Sequence, residues 1–125
     1  MQMTAIKRFE DIVAWQGARA LVKEVYTLTQ CGSFARDYGL RDQMQRASVS
    51  VMSNIAEGYE RDNDKEFRHF LAIAKASAGE VRSLLYVALD LEYIDLPTHE
   101  RLEQQGVRLS RQIASFMHYL SKESR

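Results

Sequence analysis

The sequence predicts an all-α fold, an antiparallel up-down four-helix bundle in a single domain over residues 1–125, which also self-assembles. Apolar residues recur every three or four positions through four long segments, the period of helices that bury one face. Only short breaks separate these segments, and short connections between long helices favour antiparallel neighbours. The chain has one proline and six glycines, too few for the turns of a multi-stranded fold.

The predicted helices span approximately residues 9–29, 37–59, 64–93 and 98–122. Each carries one apolar stripe, and the four stripes together would form a common core. The stripe residues are, in chain order, Trp15, Ala18, Val22, Val25 and Thr29; Leu40, Met44, Ala47, Val51 and Ile55; Phe67, Phe70, Leu71, Ala74, Ala78, Val81, Leu85 and Ala88; and Leu102, Leu109, Ile113, Phe116, Met117 and Leu120.

Turn and capping residues mark the predicted helix ends. Gly32 suits the left-handed conformation that often follows the C-terminus of a helix. Asn63 is a good N-cap residue, and Glu66 three positions later makes a variant of the capping box. Thr98, just after Pro97, is expected to cap the fourth helix.

Composition narrows the class of protein. Lys plus Arg and Asp plus Glu are equal at 17 each, so no overall basic charge points to nucleic acid. No apolar run approaches the roughly 18 residues of a membrane span, and residues 1–10 lack the apolar core of a secretory signal. The single cysteine, Cys31, fits a reducing compartment. We therefore expect a cytoplasmic protein that does not enter a membrane.

The predicted third helix has a second face that avoids charge. Small residues on one side of this helix, turned away from the core stripe, are Ala72, Ala76, Gly79 and Ser83. Further apolar residues off the core stripes of the first two helices are Phe9, Val13, Val49, Met52 and Ala56. Exposed apolar surface usually marks a contact, although alanine and serine are also acceptable on a solvated helix. We interpret these residues as a subunit interface.

Several blocks of the sequence resemble one bacterial protein family. The blocks are residues 9–16, 38–43, 50–58 and 65–67, together with Glu80. Within them, the order Asn54-Ile55-Ala56-Glu57-Gly58 is fairly specific. The family is that of the small four-helix-bundle proteins encoded in intervening sequences of large-subunit ribosomal RNA genes. The resemblance implies an all-α bundle that assembles as a homopentameric ring, in which Asn54, Glu57 and Gly58 have structural roles.

A more distant branch of this resemblance is the accessory variability protein of diversity-generating retroelements. That branch is strongly basic and works with a reverse transcriptase and nucleic acid. The present chain departs from it in having no net charge. Most of the family has no established biochemical activity, so the resemblance implies an architecture more clearly than a function.

The sequence has few of the residue patterns that bind metal ions. A carboxylate-bridged metal bundle needs two Glu-x-x-His motifs, and only Glu66 with His69 provides one. The other histidines, His99 and His118, have no glutamate three residues before them. Glu66 is also already explained as a capping residue. We therefore expect neither a metal site nor a cofactor.

Candidate catalytic groups have simpler explanations as well. Cys31 has no histidine close to it in sequence, as an activated thiol would need. Glu57 and Glu80 could face each other as an acid–base pair, but a surface position or hydrogen bonding between helices explains them better. No glycine-rich phosphate loop is present. The sequence predicts no catalytic residue and no enzyme.

The predicted fourth helix carries a basic stripe, which supports a second hypothesis. Its residues, which share one side of the helix, are Arg101, Arg108, Arg111 and Lys122. Four cations on one face could contact phosphates, although an ordinary solvated face has the same appearance. We expect a non-enzymatic, homo-oligomeric interaction or scaffold protein whose first partner is itself. The alternative is an accessory protein that binds RNA or DNA through this stripe.

Overall fold

The computed structural model describes residues 6–123, and this part of the chain is helical and contains no strand. Four long helices dominate it, as the hydrophobic periodicity predicts. The elements are, in chain order, a 3₁₀ turn Phe9–Asp11, α1 Val13–Thr29, α2 Gly32–Arg36, α3 Tyr38–Glu60, α4 Asp64–Asp90 and α5 Leu96–Glu123. The prediction of an all-α fold is confirmed.

The first helix begins later than its apolar pattern indicates. Ile12 is extended, with φ −77° and ψ 122°, and therefore separates the 3₁₀ turn Phe9–Asp11 from α1. The turn still contributes to the core, because the Phe9 ring lies 5.2 Å from the Trp15 ring. Apolar periodicity alone does not distinguish such a turn from the first turn of a helix.

The short helix α2 lies in a segment that we expected to be only a break. Gly32 opens it with φ +56°, the left-handed conformation expected at this glycine. Phe34 anchors the segment, since it is 1% exposed and its ring is stacked 5.1 Å from that of Tyr93. The Tyr93 hydroxyl in turn donates a hydrogen bond of 2.9 Å to Asp37, and this bond raises the pKa of Tyr93. The Asp37 side chain also caps α3 by accepting from the Leu40 amide.

The start of α4 agrees with the sequence analysis, whereas the start of α5 does not. Asn63 caps α4, because its side-chain oxygen accepts from the Glu66 amide at 3.0 Å. For α5 the prediction of Thr98 as the cap was wrong. The helix begins at Leu96, and the Asp95 carboxylate accepts from the Thr98 amide at 2.9 Å. Hydrogen bonds from Thr98 also lower the pKa of Asp95.

Two local features explain these boundaries. Pro97 lies inside the first turn of α5, where a missing backbone N–H leaves no helical hydrogen bond unmade. At the other side of the connection, α4 ends at Asp90 rather than near residue 93, and Glu92 adopts a left-handed φ of +61°. The chain therefore turns from α4 to α5 within five residues.

The core lies between the long helices. α3 packs along α4, α4 packs along α5, and α1 packs against α3 and less extensively against α5. Most predicted stripe residues are buried, although Val22 is only half-buried and Leu21 takes its place. The largest fully buried side chains of the four long helices are Leu21, Val25, Met44, Val51, Ile55, Leu71, Leu85, Leu102, Leu109 and Ile113.

Gly58 marks the closest approach of α3 to α4. A Cβ atom at this position would lie 2.8 Å from Phe67 Cδ1 and 2.8 Å from Phe70 Cβ. The Phe70 Cβ atom is fixed by the α4 backbone and cannot move away by a side-chain rotation. The absence of a side chain at Gly58 therefore allows the α3–α4 packing, which agrees with the structural role expected from the family resemblance.

The Gly58→Ala variant is expected to lose about 1–3 kcal/mol of unfolding free energy, because overpacking outweighs the better helix propensity of alanine. Urea denaturation followed by circular dichroism measures this loss. The matched control is Gly39→Ala in the same helix, where the nearest atom to an added Cβ is 4.0 Å away. Equal stability of the two variants would show that α3 and α4 do not approach closely at Gly58.

Candidate interaction surfaces

The outward side of α4 carries the small residues predicted from its second face. Ala72, Ala76 and Ser83 are exposed, and Gly79 is half-buried with no atom within 4 Å of an added Cβ. We call these four residues the flat face. No other described residue covers Gly79 at that distance, so another backbone can approach it closely.

Large apolar side chains flank the flat face, and the sequence analysis missed them. Ile73 is 37% exposed and Val87 is 40% exposed, and the helical period places both beside Ala76 on the outward side of α4. Tyr86 is 48% exposed on the same side. The sequence could have indicated these three residues, since they are apolar or aromatic and lie off the core stripe at helical spacing. The outward side of α4 is therefore more apolar than its small residues alone indicated.

The other predicted interface residues are divided among different surroundings. Phe9, Met52 and Ala56 are half-buried and pack against the core of their own chain, whereas Val49 is 37% exposed. The α3 residues lie on a different side of that helix from Ser50, which contacts α4. Val13 is 51% exposed and lines a groove beside α5. The structure thus does not join all the predicted residues into one surface.

The basic stripe of α5 divides into paired and unpaired cations. Arg101 Nη1 lies 2.9 Å from Glu24 Oε2 of α1, which forms an ion pair between the two helices. Arg108, Arg111 and Lys122 are exposed, and none has an ion pair within residues 6–123. These three cations therefore remain available for an external anion.

A groove of about 450 Å³ separates α1 from α5. Arg101 and Arg108 lie on its α5 side, together with several glutamines. The complete lining is Val13, Gln16, Gly17, Ala20, Arg101, Gln104, Gln105, Arg108, Leu109 and Gln112. Arg108 and Arg111 also line a neighbouring depression of about 370 Å³ along the outer side of α5.

The polar motif residues of α3 hold neighbouring elements together. The Asn54 amide donates to the Ser50 backbone oxygen at 2.8 Å, and it lies 3.0 Å from the Ser50 hydroxyl. That hydroxyl lies 2.9 Å from Ser77 of α4. Asn54 is therefore linked to α4 through the Ser50 hydroxyl. This arrangement gives it a structural role, as expected from the family resemblance.

The turn between α3 and α4 is organised by Arg61. Its guanidinium lies 2.9 Å from Glu57 and 3.6 Å from Glu66, and it is positioned over the Phe70 ring. The hydrogen bond to Glu57 raises the pKa of Arg61 further above its usual range. Glu57 and Glu66 are thus engaged in a local ion-pair cluster at an exposed turn, where solvent screening leaves such pairs little effect on stability.

A polar cluster between α4 and α5 has no counterpart in the sequence analysis. Arg82 Nε and Nη2 donate to the two Glu103 carboxylate oxygens at 3.0 and 3.3 Å, which lowers the pKa of Glu103. The Tyr86 hydroxyl lies 3.4 Å from the same carboxylate. His99 packs against Tyr86, with ring centroids 4.4 Å apart. His99 is 5% exposed, and its Nε2 atom has no hydrogen-bond partner in the described part of the chain.

The His99→Leu variant is expected to gain about 1 kcal/mol of unfolding free energy, since it removes a buried polar atom that no partner satisfies. Thermal denaturation should show a melting temperature a few degrees above that of the unmodified chain. His118→Leu is the matched control, because His118 is exposed and its substitution should leave stability nearly unchanged. A destabilised His99→Leu variant would indicate that the Nε2 atom has a partner.

The remaining candidate metal-binding and catalytic side chains do not meet in one site within the described part of the chain. Among residues 6–123, no group of three or more histidine, cysteine or acidic side chains could hold a metal ion. Glu57 pairs with Arg61, whereas Glu80 accepts from Gln43, so these two carboxylates have separate partners. Cys31 is exposed, and its thiol lies 3.3 Å from the Thr27 backbone oxygen.

Within the described residues, no helix has the length and apolar character needed to cross a membrane.

The chain was also compared with known proteins. A solved structure resembles it with a TM-score of 0.78 at 18% sequence identity, covering 85% of this chain and 96% of the other. That structure is a protein of unknown function from Bacteroides thetaiotaomicron, of the S23 ribosomal protein family, and the likeness at this identity concerns the fold alone.

Curated proteins include no significant match to this chain. The family model of the 23S rRNA-intervening sequence protein matches residues 10–115, which is most of the chain. Neither this model nor the solved structure supports the more distant relation to the accessory variability protein of retroelements. The family resemblance found in the sequence is nevertheless confirmed: the chain belongs to the 23S rRNA-intervening sequence protein family.

Proposed function

We propose that this chain is a non-enzymatic interaction protein whose four long helices form an antiparallel up-down bundle. Contacts between early residues of one helix and late residues of the next support this order. Gln43 contacts Glu80 at 3.3 Å, and further along α3 Ser50 contacts Ser77 at 2.9 Å. Between α4 and α5, the Phe67 ring lies 5.1 Å from that of Phe116.

Four carboxylates already form ion pairs or cap helices, and this supports the non-enzymatic part of the proposal. Glu57 and Glu103 pair with arginines, and Asp37 and Asp95 cap helices. A general acid or base needs a carboxylate held near a reacting group, and these four already have structural partners. A cytoplasmic location is part of the same proposal, and the single cysteine, Cys31, is consistent with such a reducing compartment.

The proposed activity is self-association, and the outward side of α4 is the observation that carries it. A monomeric bundle needs only the buried stripe of α4, yet the opposite side exposes Ile73 and Val87 around the flat face. Burying this side against another chain would contribute about 25 cal/mol per Å² of apolar surface, before the costs of association. A heterologous contact repeated by rotation closes into a ring, and the family resemblance suggests five subunits.

Native mass spectrometry tests the subunit number. The expected particle has the mass of five chains of 14.4 kDa each. A particle of another number of chains would contradict the pentamer but keep the self-association. A single-chain mass at micromolar concentration would contradict the proposal itself.

A second candidate function, nucleic-acid binding, is favoured by the unpaired cations of α5. Arg108 and Arg111 are exposed one helical turn apart and have no ion pair within the described residues. Phosphate contacts by such side chains would weaken steeply as the salt concentration rises. A ring would repeat the stripe in every subunit and so increase its effect.

The Arg108→Glu/Arg111→Glu variant is expected to lose any retention of RNA or DNA at low salt, while its circular dichroism remains helical. The matched control is Arg19→Glu/Lys23→Glu, which makes the same charge change at two exposed residues of α1. Gel-shift titrations at several salt concentrations measure the retention. Absence of retention by the unmodified protein would end this second candidate.

A further inference from the structure

A depression of about 350 Å³ lies between the end of α4 and the start of α5. Leu89 and Leu96 give it apolar walls, and Leu96 is 56% exposed. We call it the His99 depression. Its complete lining is Tyr86, Leu89, Leu96, His99, Glu100, Glu103 and Gln104. A depression of this volume is large enough for a small organic molecule.

The His99 depression is acidic. Its lining contains the carboxylates of Glu100 and Glu103 and no lysine or arginine. Glu100 is exposed and has no ion pair within residues 6–123. Residues 83–100, which lead from the end of α4 into α5, include four acidic residues and no lysine or arginine. The charge of this surface therefore favours a cation.

The arginines nearest in sequence do not cancel this charge. Arg82 is paired with Glu103, with 3.0 Å between Nε and Oε1. Arg101 instead pairs with Glu24 of α1. Arg108 lines the neighbouring depression along α5 and is absent from the lining of the His99 depression.

The first turn of α5 does not offer its amides to an anion. The Thr98 amide donates to the Asp95 carboxylate at 2.9 Å, and the His99 amide donates to the Asp95 backbone oxygen at 3.0 Å. Pro97 has no amide hydrogen. The Asp95 carboxylate therefore already occupies the positive end of the helix dipole.

His99 is the residue of this depression that the fold does not explain. It is 5% exposed, and its Nε2 atom has no hydrogen-bond partner in the described part of the chain. An unsatisfied buried polar atom lowers stability, and native structures contain few of them. Such a destabilising group is typical of a site where binding needs it.

Tyr86 lies against His99 and is weakly held. The two ring centroids are 4.4 Å apart, with the ring planes at 58°. Tyr86 is 48% exposed, and its hydroxyl lies 3.4 Å from Glu103 Oε2, which is long for a hydrogen bond between oxygens. A rotation of the Tyr86 side chain would open the way to Nε2, and the face of its ring could then pack on a cation.

We infer that the His99 depression binds an organic cation, a guanidinium or amidinium group on an apolar body. A planar cation of this type has several N–H donors in fixed directions. One would donate to His99 Nε2, and others would donate to the Glu100 and Glu103 carboxylates. The apolar body would lie against Leu89 and Leu96. This inference goes beyond the proposed self-association, because all the residues of the site belong to one chain.

Histidine NMR tests the site directly, because the chain has three histidines and the other two are exposed. Protein with isotopically labelled histidine is titrated with phenylguanidinium chloride. We expect the His99 side-chain nitrogen resonances to shift, whereas those of His69 and His118 stay unchanged. Unchanged His99 resonances at millimolar phenylguanidinium would overturn the inference.

Phenylurea is the control ligand, since it has nearly the same shape without the charge. It should bind on the order of tenfold more weakly. Equal binding of the two compounds would overturn the selection of a cation. Agmatine and a blocked peptide with one central arginine then distinguish the source of the group. Tighter binding of agmatine would indicate a free small molecule, and tighter binding of the peptide would indicate an arginine side chain of a protein.

The Glu100→Gln variant is expected to weaken phenylguanidinium binding on the order of tenfold, because a charge-assisted contact is lost. Isothermal titration calorimetry measures this loss. Glu92→Gln is the matched control, since Glu92 is an exposed carboxylate outside the depression. An equal loss in both variants would show an effect of general surface charge and would overturn the site.

The His99→Leu variant separates binding from folding. It should keep the raised melting temperature expected above and still bind phenylguanidinium on the order of tenfold more weakly. His118→Leu should bind as the unmodified chain does. A His99→Leu protein with unchanged affinity would overturn the role of Nε2 in the site.

Discussion

The Ala78→Glu variant is expected not to fold. Ala78 is fully buried on the side of α4 that faces the core, where a glutamate side chain has neither space nor a partner for its charge. Such a change costs on the order of 4–5 kcal/mol or more, a large part of the roughly 5–15 kcal/mol that stabilises a domain of this size. Circular dichroism should show loss of helix, and the protein should be recovered mainly as aggregate.

The control for this prediction is Ala76→Glu, two residues earlier on the same helix. Ala76 is exposed, so the same new carboxylate should leave the chain helical. The comparison separates burial from helix propensity, because the substitution is identical. A soluble Ala78→Glu protein with near-native melting would contradict the placement of the core.

The Ala76→Arg variant is expected to convert the oligomer into a monomer that remains fully helical. A long charged side chain in the middle of the flat face prevents close approach of another helix, and its charge would lose water in the contact. Light scattering should give the mass of one chain, with an unchanged circular dichroism spectrum.

Ser121→Arg is the control for this second prediction, since Ser121 is exposed near the end of α5. It introduces the same side chain far from the flat face along the sequence and should leave the oligomer intact. An Ala76→Arg protein that keeps the mass of the unmodified oligomer would show that the flat face is solvent-exposed surface.

Much of the fold was predictable because the buried face of a helix needs apolar residues at a regular spacing, and this spacing is visible in the sequence. Ala74 and Ala78 recur with Leu71 and Leu85 at helical spacing, and all four are buried. Asn63 was predictable for a different reason, since its side chain acts on an amide only three residues away. Both signals are local in the sequence.

The errors arose where a local pattern has two solutions. Thr98 and Asp95 are both residue types that can cap a helix, and only the path of the backbone decides between them. The helix begins before Pro97, because proline is tolerated inside the first turn. Phe9 fits the apolar period of α1, although it belongs to a separate turn. The five residues of α2 are too few for any period to appear, and Phe34 is held by a ring contact with the distant Tyr93.

The candidate surfaces were predictable only in part. The flat face follows from spacing within one helix, and its residues are exposed or half-buried as expected. The α1–α5 groove depends on how far apart two helices lie, which no single helix specifies. The same limit applies to the Arg82–Glu103 pair and the buried His99, because their partners come from different helices.

The mass of the unmodified protein in solution tests the central claim of self-association most directly. Light scattering after size exclusion, over a range of micromolar concentrations, should give a stable mass several times the 14.4 kDa of one chain. Five times that value would agree with the proposed ring. A constant mass of 14.4 kDa across the range would contradict the account, because the outward side of α4 would then remain exposed to solvent.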